Sequence, residues 1–129
     1  MKLYRKMFED ADGRPIVGAG RNELGVRPAD PQKPRQAADV HVSADGDLIP
    51  PGDGMSAFTD PGAISPLVQG VLYSIETDDL PDELTWEQRG KKPAHHHIEP
   101  KDEATLKEFQ ELLAETRDLW QREDGGTNP

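Results

Sequence analysis

The clearest hydrophobic pattern in the chain lies near its C-terminal end. From about Asp102 to Arg122, mostly apolar positions recur every three or four residues and so fall on one face of a helix. These positions are Leu106, Phe109, Leu112, Leu113, Thr116, Leu119 and Trp120. Asp102 has a side chain suited to an N-cap, and Gly125-Gly126 would end the helix. The pattern therefore predicts one long amphipathic helix over 102–122.

Shorter apolar runs earlier in the chain predict strands. The strongest is Val71–Ile75, which contains a tyrosine and two β-branched residues. Leu3–Phe8 and His95–Glu99 predict two more strands, and Ile16–Val17 is predicted to return beside the first after a turn. The segment Val40–Ile49, in which alternating residues flank a Gly-containing turn, predicts a hairpin.

Between these elements the chain is rich in turn-forming residues. Arg27–Asp39 holds three prolines and little that is apolar, which predicts an exposed loop. Leu80–Trp86 is predicted as a loop that anchors Leu84 and Trp86 in the core. Strands come first and one helix comes last, an order that favours an α+β fold with small mixed or antiparallel sheets. We expect one domain over 1–122 and a disordered tail over 123–129.

Composition narrows the classes of function. The 129 residues carry a formal net charge of −10 and no basic run that could follow a phosphate backbone, which argues against nucleic acid as a partner. The chain has no cysteine, no apolar signal-peptide core at its start and no apolar run long enough to span a membrane. These features favour a cytoplasmic protein without a membrane partner, whose export would need a route that is independent of a cleaved signal.

Three short clusters could carry chemistry, and each also has a structural interpretation. In the first, Tyr4-Arg5, the arginine either faces water on an edge strand or grips an anionic group with its fork of donors. The second, Gly52–Ser56, is either a turn or a place where the backbone approaches a ligand beside the Ser56 hydroxyl. It matches neither a Walker A loop nor a dinucleotide fingerprint.

The third cluster is the run of histidines at His95–Glu99. On a strand, His95, His97 and Glu99 share one face while His96 points the other way. Such a face could bind zinc, could supply a general base, or could simply be an exposed strand end. The only other histidine is His41, so we expect no native metal site.

The order of these motifs resembles that of a family of small bacterial toxins. The shared succession is Leu3-Tyr4-Arg5, Leu24-Gly25-Val26-Arg27, Asp39-Val40 through Pro51-Gly52, Gly54-Met55-Ser56, His95 to Pro100, Glu108-Phe109-Gln110 and Thr116-Arg117-Asp118-Leu119-Trp120. It is similar to the ADP-ribosyltransferase-like toxin domain of type VI secretion effectors. The resemblance runs from about Leu3 to Trp120, and its specificity lies in the order and spacing of short motifs.

The resemblance implies an ADP-ribosyltransferase-like fold with an NAD-binding cleft between two small sheets. It implies cleavage of the nicotinamide–ribose bond of NAD, transfer of ADP-ribose to an unknown target, and a cognate immunity protein as partner. The implied cofactor-binding residues are Tyr4, Arg5, Gly54 and Ser56, and the implied catalytic residues are His95 and Glu99. One departure stands out. Asp53 replaces a family glycine and places a charge beside the expected cleft.

Two other interpretations stay open at this point. The chain could be a non-catalytic binding or interaction module that keeps the toxin fold. It could also be a metal-dependent hydrolase that uses the histidines. Release of nicotinamide from NAD would distinguish catalysis from binding alone.

Overall fold

Residues 1–123, which a computed structural model describes, build one antiparallel sheet of six strands and one short helix. The strands are β1 (Lys2–Met7), β2 (Met55–Phe58), β3 (Val71–Glu76), β4 (Leu84–Gln88), β5 (His95–Pro100) and β6 (Gln121–Arg122), and the helix is α1 (Leu106–Glu115). Their order across the sheet is β4-β5-β2-β1-β3-β6. The α+β class is therefore confirmed, and the sheet is a single antiparallel one.

Alternation along the strands builds one apolar face. In β1, Leu3 and Met7 are fully buried, and the register with β3 sets Leu3 opposite Ile75 on the same face. The helix adds Phe109 and Leu113 to this core, where they join the sheet residues in one hydrophobic cluster. The predicted apolar stripe thus packs as its pattern required.

The strands are not joined equally. β1 and β3 pair over six residues, whereas β1 and β2 share a single registered pair, Tyr4 with Phe58. We call this joint the β1–β2 seam. It divides the sheet into a β4-β5-β2 half and a β1-β3-β6 half. Two of the candidate site residues, Arg5 in β1 and Ser56 in β2, lie on the strands that meet at this seam.

The long C-terminal helix predicted over 102–122 is wrong. The α-helix starts after Thr105, whose side chain accepts from the Glu108 backbone while the Glu108 side chain accepts from the Thr105 backbone. It ends at Thr116, which caps it and donates from Oγ1 to the Leu113 carbonyl at 2.6 Å. A 3₁₀ turn and β6 follow. Because 3₁₀ and α periodicities are close, the apolar pattern continues past the end of the α-helix.

Three other predictions about elements need correction. Residues 40–49 form no hairpin strands, since Val40 makes an isolated bridge to Pro28 and Leu48 makes one to Thr105. Ile16–Val17 does return beside the first strand, since the Ile16 N–H donates to the Phe8 carbonyl at 2.9 Å. It forms no regular strand, however, because its only bridge is the isolated one from Val17 to Leu24. The segment predicted as a loop at 80–86 contains the start of β4, with Leu84 buried.

The Leu24–Arg27 motif is held to the helix by one side chain. Gln110 accepts from the Val26 N–H at 2.9 Å and donates to the Val26 carbonyl at 2.7 Å. Gly25 adopts φ +155, and a Cβ there would lie 2.0 Å from the Gly18 carbonyl oxygen, so no larger residue fits. This docking fixes the start of the Pro-rich 27–39 loop, which has no helix or regular strand and is mostly exposed, as predicted.

The Thr116–Trp120 motif also has a structural role. The Trp120 indole donates to Thr116 Oγ1 at 3.0 Å, and Arg117 forms an ion pair with Asp10 at 2.6 Å. At the end of the described chain, Glu123 accepts from Ser74 Oγ at 2.6 Å. The remainder of the predicted tail, 124–129, lies outside the described residues. No helix within residues 1–123 is long and apolar enough to cross a membrane.

Candidate functional site

A cleft of about 310 Å³ opens where β1 and β2 separate. Both strands contribute to its walls, and the loops after β1, after β2 and before β5 complete them. Its lining includes Arg5, Lys6, Arg21, Asn22, Arg27, Asp39, Ser56, Phe58, Ile64, Val68 and Lys92. This volume lies at the lower end of the range of about 300–1,000 Å³ that is usual for small-molecule sites.

Arg5 is the buried cation of this cleft. It is only 8% exposed, and its Nη1 donates to the Ser56 carbonyl at 2.8 Å. Its Nη2 donates to the Glu23 carbonyl at 2.9 Å and to the Arg21 carbonyl at 3.5 Å. Of the two interpretations of Arg5, the edge-strand arginine facing water is wrong, because β1 is a central strand and Arg5 bonds across the β1–β2 seam.

Arg5 retains hydrogen-bonding capacity after these contacts. A guanidinium carries five N–H donors, and three are directed at carbonyls. Nε is buried and has no partner among the described residues. Burial lowers the pKa of Arg5 to about 10, although nearby Asp39 opposes the change, so the side chain stays charged at neutral pH. A buried side chain that stays charged and lines a cleft is suited to an anionic ligand.

Ser56 lines the cleft, and His95 contacts the Ser56 side chain from just outside the lining. The His95 Nε2 lies 3.2 Å from Ser56 Oγ, and its Nδ1 lies 3.0 Å from the Arg89 carbonyl oxygen. A carbonyl can only accept, so Nδ1 carries the proton in the neutral ring. Nε2 is then the acceptor for the Ser56 hydroxyl.

The antiparallel register of β2 and β5 explains this meeting. Phe58 lies opposite His95, and Ser56 lies opposite His97, so all four side chains share one face of the sheet. The rings of Phe58 and His95 have centroids 5.2 Å apart. Gly90, at φ +77, turns the β4–β5 connection, and a Cβ there would lie 3.2 Å from His95 Nδ1.

Burial decides the charge of His95. It lowers the pKa of the imidazole below its usual value, and neighbouring His97 lowers it further, while the bond to the Arg89 carbonyl opposes both. His95 is therefore a neutral base at physiological pH. Its free Nε2 lone pair faces a hydroxyl, an arrangement that can withdraw a proton.

The cleft is basic although the chain is acidic. Arg5, Lys6, Arg21, Arg27 and Lys92 line it, and Asp39 is the single carboxylate among its lining residues. A chain with net charge −10 thus gathers five of its 15 Lys and Arg side chains around one opening. Such a concentration attracts an anion and repels a cation.

A second, larger cavity of about 590 Å³ has the opposite character. Its lining includes five carboxylates, those of Asp53, Glu87, Glu99, Asp102 and Glu103. These carboxylates would repel phosphate groups from the larger cavity. We therefore assign the candidate anion site to the smaller cleft.

The structure places Glu99 in this second cavity and does not bring it to Ser56 and His95. Its carboxylate is 8% exposed and is held bidentately by Arg89, at 2.7 and 2.9 Å. Asp53 lies in the same cavity and accepts from the His41 backbone at 2.7 Å. The negative charge of Asp53, expected from the sequence to lie beside the NAD cleft, is thus held in the other cavity.

Two expected cofactor-binding residues have structural surroundings instead. A Cβ on Gly54 would lie 2.4 Å from the Ile98 carbonyl oxygen, so close packing of β2 on β5 requires this glycine. Tyr4 forms the registered pair of the β1–β2 seam and is not among the residues that line the cleft.

Four of the cations that line the cleft were not predicted from the sequence as site residues. Lys6, Arg21 and Lys92 belong to no common motif, and no spacing rule joins them. Arg27 had a signal, since it ends the Leu24–Arg27 motif, but no role had been attached to it. Within residues 1–123 no group of three or more His, Cys, Asp or Glu side chains is placed to hold a metal ion.

Comparison with known proteins gave no match. No family model, no curated protein and no solved structure is significantly similar to this chain.

Proposed function

We propose that the basic cleft binds NAD and that the protein cleaves the nicotinamide–ribose bond and transfers ADP-ribose. The observation that carries the proposal is buried Arg5, a cation that lines a basic cleft together with Ser56, whose hydroxyl contacts His95. The motif order that resembles ADP-ribosyltransferase-like toxins supports it. So does the fit between a basic opening and a pyrophosphate.

Each residue in or beside the cleft has a proposed role that follows from its chemistry. Arg5 and the flanking cations bind the phosphates and fix the orientation of the ribose. Phe58 and Ile64 supply apolar surface for a planar ring. His95, a neutral base next to Ser56, accepts a proton from the group that attacks the ribose.

The experiment is to incubate the purified protein with NAD and to measure released nicotinamide by chromatography. Lys92→Ala removes an exposed cation from the cleft, and we expect it to weaken NAD binding about fivefold to tenfold without loss of stability. The matched control is Arg35→Ala, which removes an exposed cation from the 27–39 loop outside the cleft lining. Equal NAD affinity in the two variants would contradict the placement of the ligand.

A second function, NAD or nucleotide binding without turnover, is favoured by one observation. Glu99 is bonded to Arg89 in the other cavity, so the cleft has only Asp39 as a carboxylate to stabilise positive charge on the ribose. Under this alternative, NAD protects the protein against thermal unfolding, yet no nicotinamide appears. A neutralising partner and delivery by a secretion system remain proposals that rest on the resemblance alone.

A further inference from the structure

Ser56 has the surroundings of an activated nucleophile and not merely those of a cleft-lining hydroxyl. A nucleophile, a base within hydrogen-bond reach and a third group that orients the base together define such a site. Here Ser56 Oγ, His95 Nε2 and the Arg89 carbonyl occupy these three positions, with separations of 3.2 and 3.0 Å. Ser56 is half-buried and lines the cleft, so the hydroxyl is open to a bound ligand.

The position of Ser56 beside Arg5 sets the class of electrophile. Arg5 and Ser56 both line the cleft, and Arg5 donates to the Ser56 carbonyl, so a ligand that fills the cleft would contact both residues. An anionic substrate with an electrophilic carbon near its phosphates is the class that both residues would contact. NAD belongs to that class through its ribose.

We infer that Ser56 is itself an acceptor of ADP-ribose, so that the protein modifies its own cleft when no other acceptor is present. This inference rests on the proposed function. Ser56 Oγ forms a bond to the ribose C1′ as the bond between C1′ and the nicotinamide nitrogen breaks. The nicotinamide leaves with that electron pair, and the hydroxyl proton passes to His95 Nε2 and then to solvent. The products are an O-glycoside on Ser56 and free nicotinamide.

Such a modification would close the site. The attached ADP-ribose would place its phosphates among the cations of the cleft and prevent a second NAD from entering. Self-modification would therefore appear as an activity that stops after about one turnover per chain. That stop would coincide with a gain in mass of one ADP-ribose.

The test is to incubate the full chain with NAD and to measure intact protein mass and released nicotinamide in parallel, followed by peptide mapping. We expect one ADP-ribose per chain, located on Ser56 and stable to neutral hydroxylamine, because a glycoside of serine resists the reagent that cleaves esters of Asp or Glu. Ser56→Ala should lose the adduct. The matched control Ser65→Ala should keep it, since Ser65 borders the same cleft but its Oγ accepts from the Leu67 N–H.

His95→Ala provides a readout that a purely structural role would not move. Without the base, water should capture the ribose more often, so the ratio of adduct to released nicotinamide should fall about tenfold or more. Nicotinamide release with no adduct, or with an adduct on another residue, would overturn the inference and leave the proposed function standing. The absence of both nicotinamide release and adduct would overturn the two together.

Discussion

Gln110 offers the sharpest test of how the cleft is held in place. Its side chain forms two hydrogen bonds to the backbone of fully buried Val26, at 2.9 and 2.7 Å. Gln110→Ala leaves a buried N–H and a buried carbonyl without partners, at about 1–3 kcal/mol each. Because Gln110 is half-buried, water can replace part of what is lost, so we expect a total destabilisation of about 2–4 kcal/mol.

The assay is equilibrium unfolding in urea, with the slope of the transition compared between variants to confirm that only stability has changed. The control is Glu111→Ala, which alters the next, exposed position of α1 and should stay within about 0.5 kcal/mol of the native protein. If the two variants had the same free energy of unfolding, the Gln110–Val26 bonds would not stabilise the fold, and our account of the Leu24–Arg27 motif would be refuted.

Three further predictions concern single side chains. Phe109→Ala removes a fully buried ring and should lower the free energy of unfolding by about 3–5 kcal/mol, so an unchanged melting temperature would show that α1 does not pack as described. Glu99→Gln should destabilise the protein by breaking the bidentate pair with Arg89, yet leave the affinity for NAD within about twofold, because Glu99 lies in the acidic cavity. A large loss of NAD affinity would show that Glu99 belongs to the NAD site. The lowered pKa of His95 means that the unfolded chain binds more protons than the folded one below about pH 6.5, so the free energy of unfolding should fall as the pH decreases from that point. His95→Gln should flatten this pH dependence in urea unfolding, and an unchanged profile would contradict a neutral imidazole in the folded protein.

The sequence predicted strands well where apolar residues dominate, as in β3, or alternate with polar ones, as in β1. It missed β2, whose first residues were interpreted as part of a Gly-containing turn. It also missed β4, although Leu84 and Trp86 alternate as a half-buried strand requires, because Pro81 and the acidic residues before Leu84 favoured a turn. The apparent hairpin at 40–49 had the right alternation but no adjacent strand to pair with. Local pattern cannot supply that partner, since pairing in this sheet depends on residues far apart in the sequence.

The candidate site divides in the same way. Arg5, Ser56 and His95 could be singled out because each is the polar member of a short motif, and the register of β2 with β5 then brings two of them together. The separation of Glu99 could not be foreseen, because its partner Arg89 stands in the β4–β5 connection and carries no motif. Nor could the basic cleft, whose five cations come from four separate parts of the chain.

The β1–β2 seam, with its single registered pair, has a consequence for local opening of the sheet. On either side of the seam the neighbouring strands share two or more registered pairs, whereas the two groups meet through Tyr4–Phe58 and the guanidinium of Arg5. Amide hydrogen exchange should therefore divide the sheet into two cooperative units, with the fastest opening between them. A ligand that engages Arg5 and Ser56 together would span both units, and its binding would slow exchange on each side even at amides it never touches.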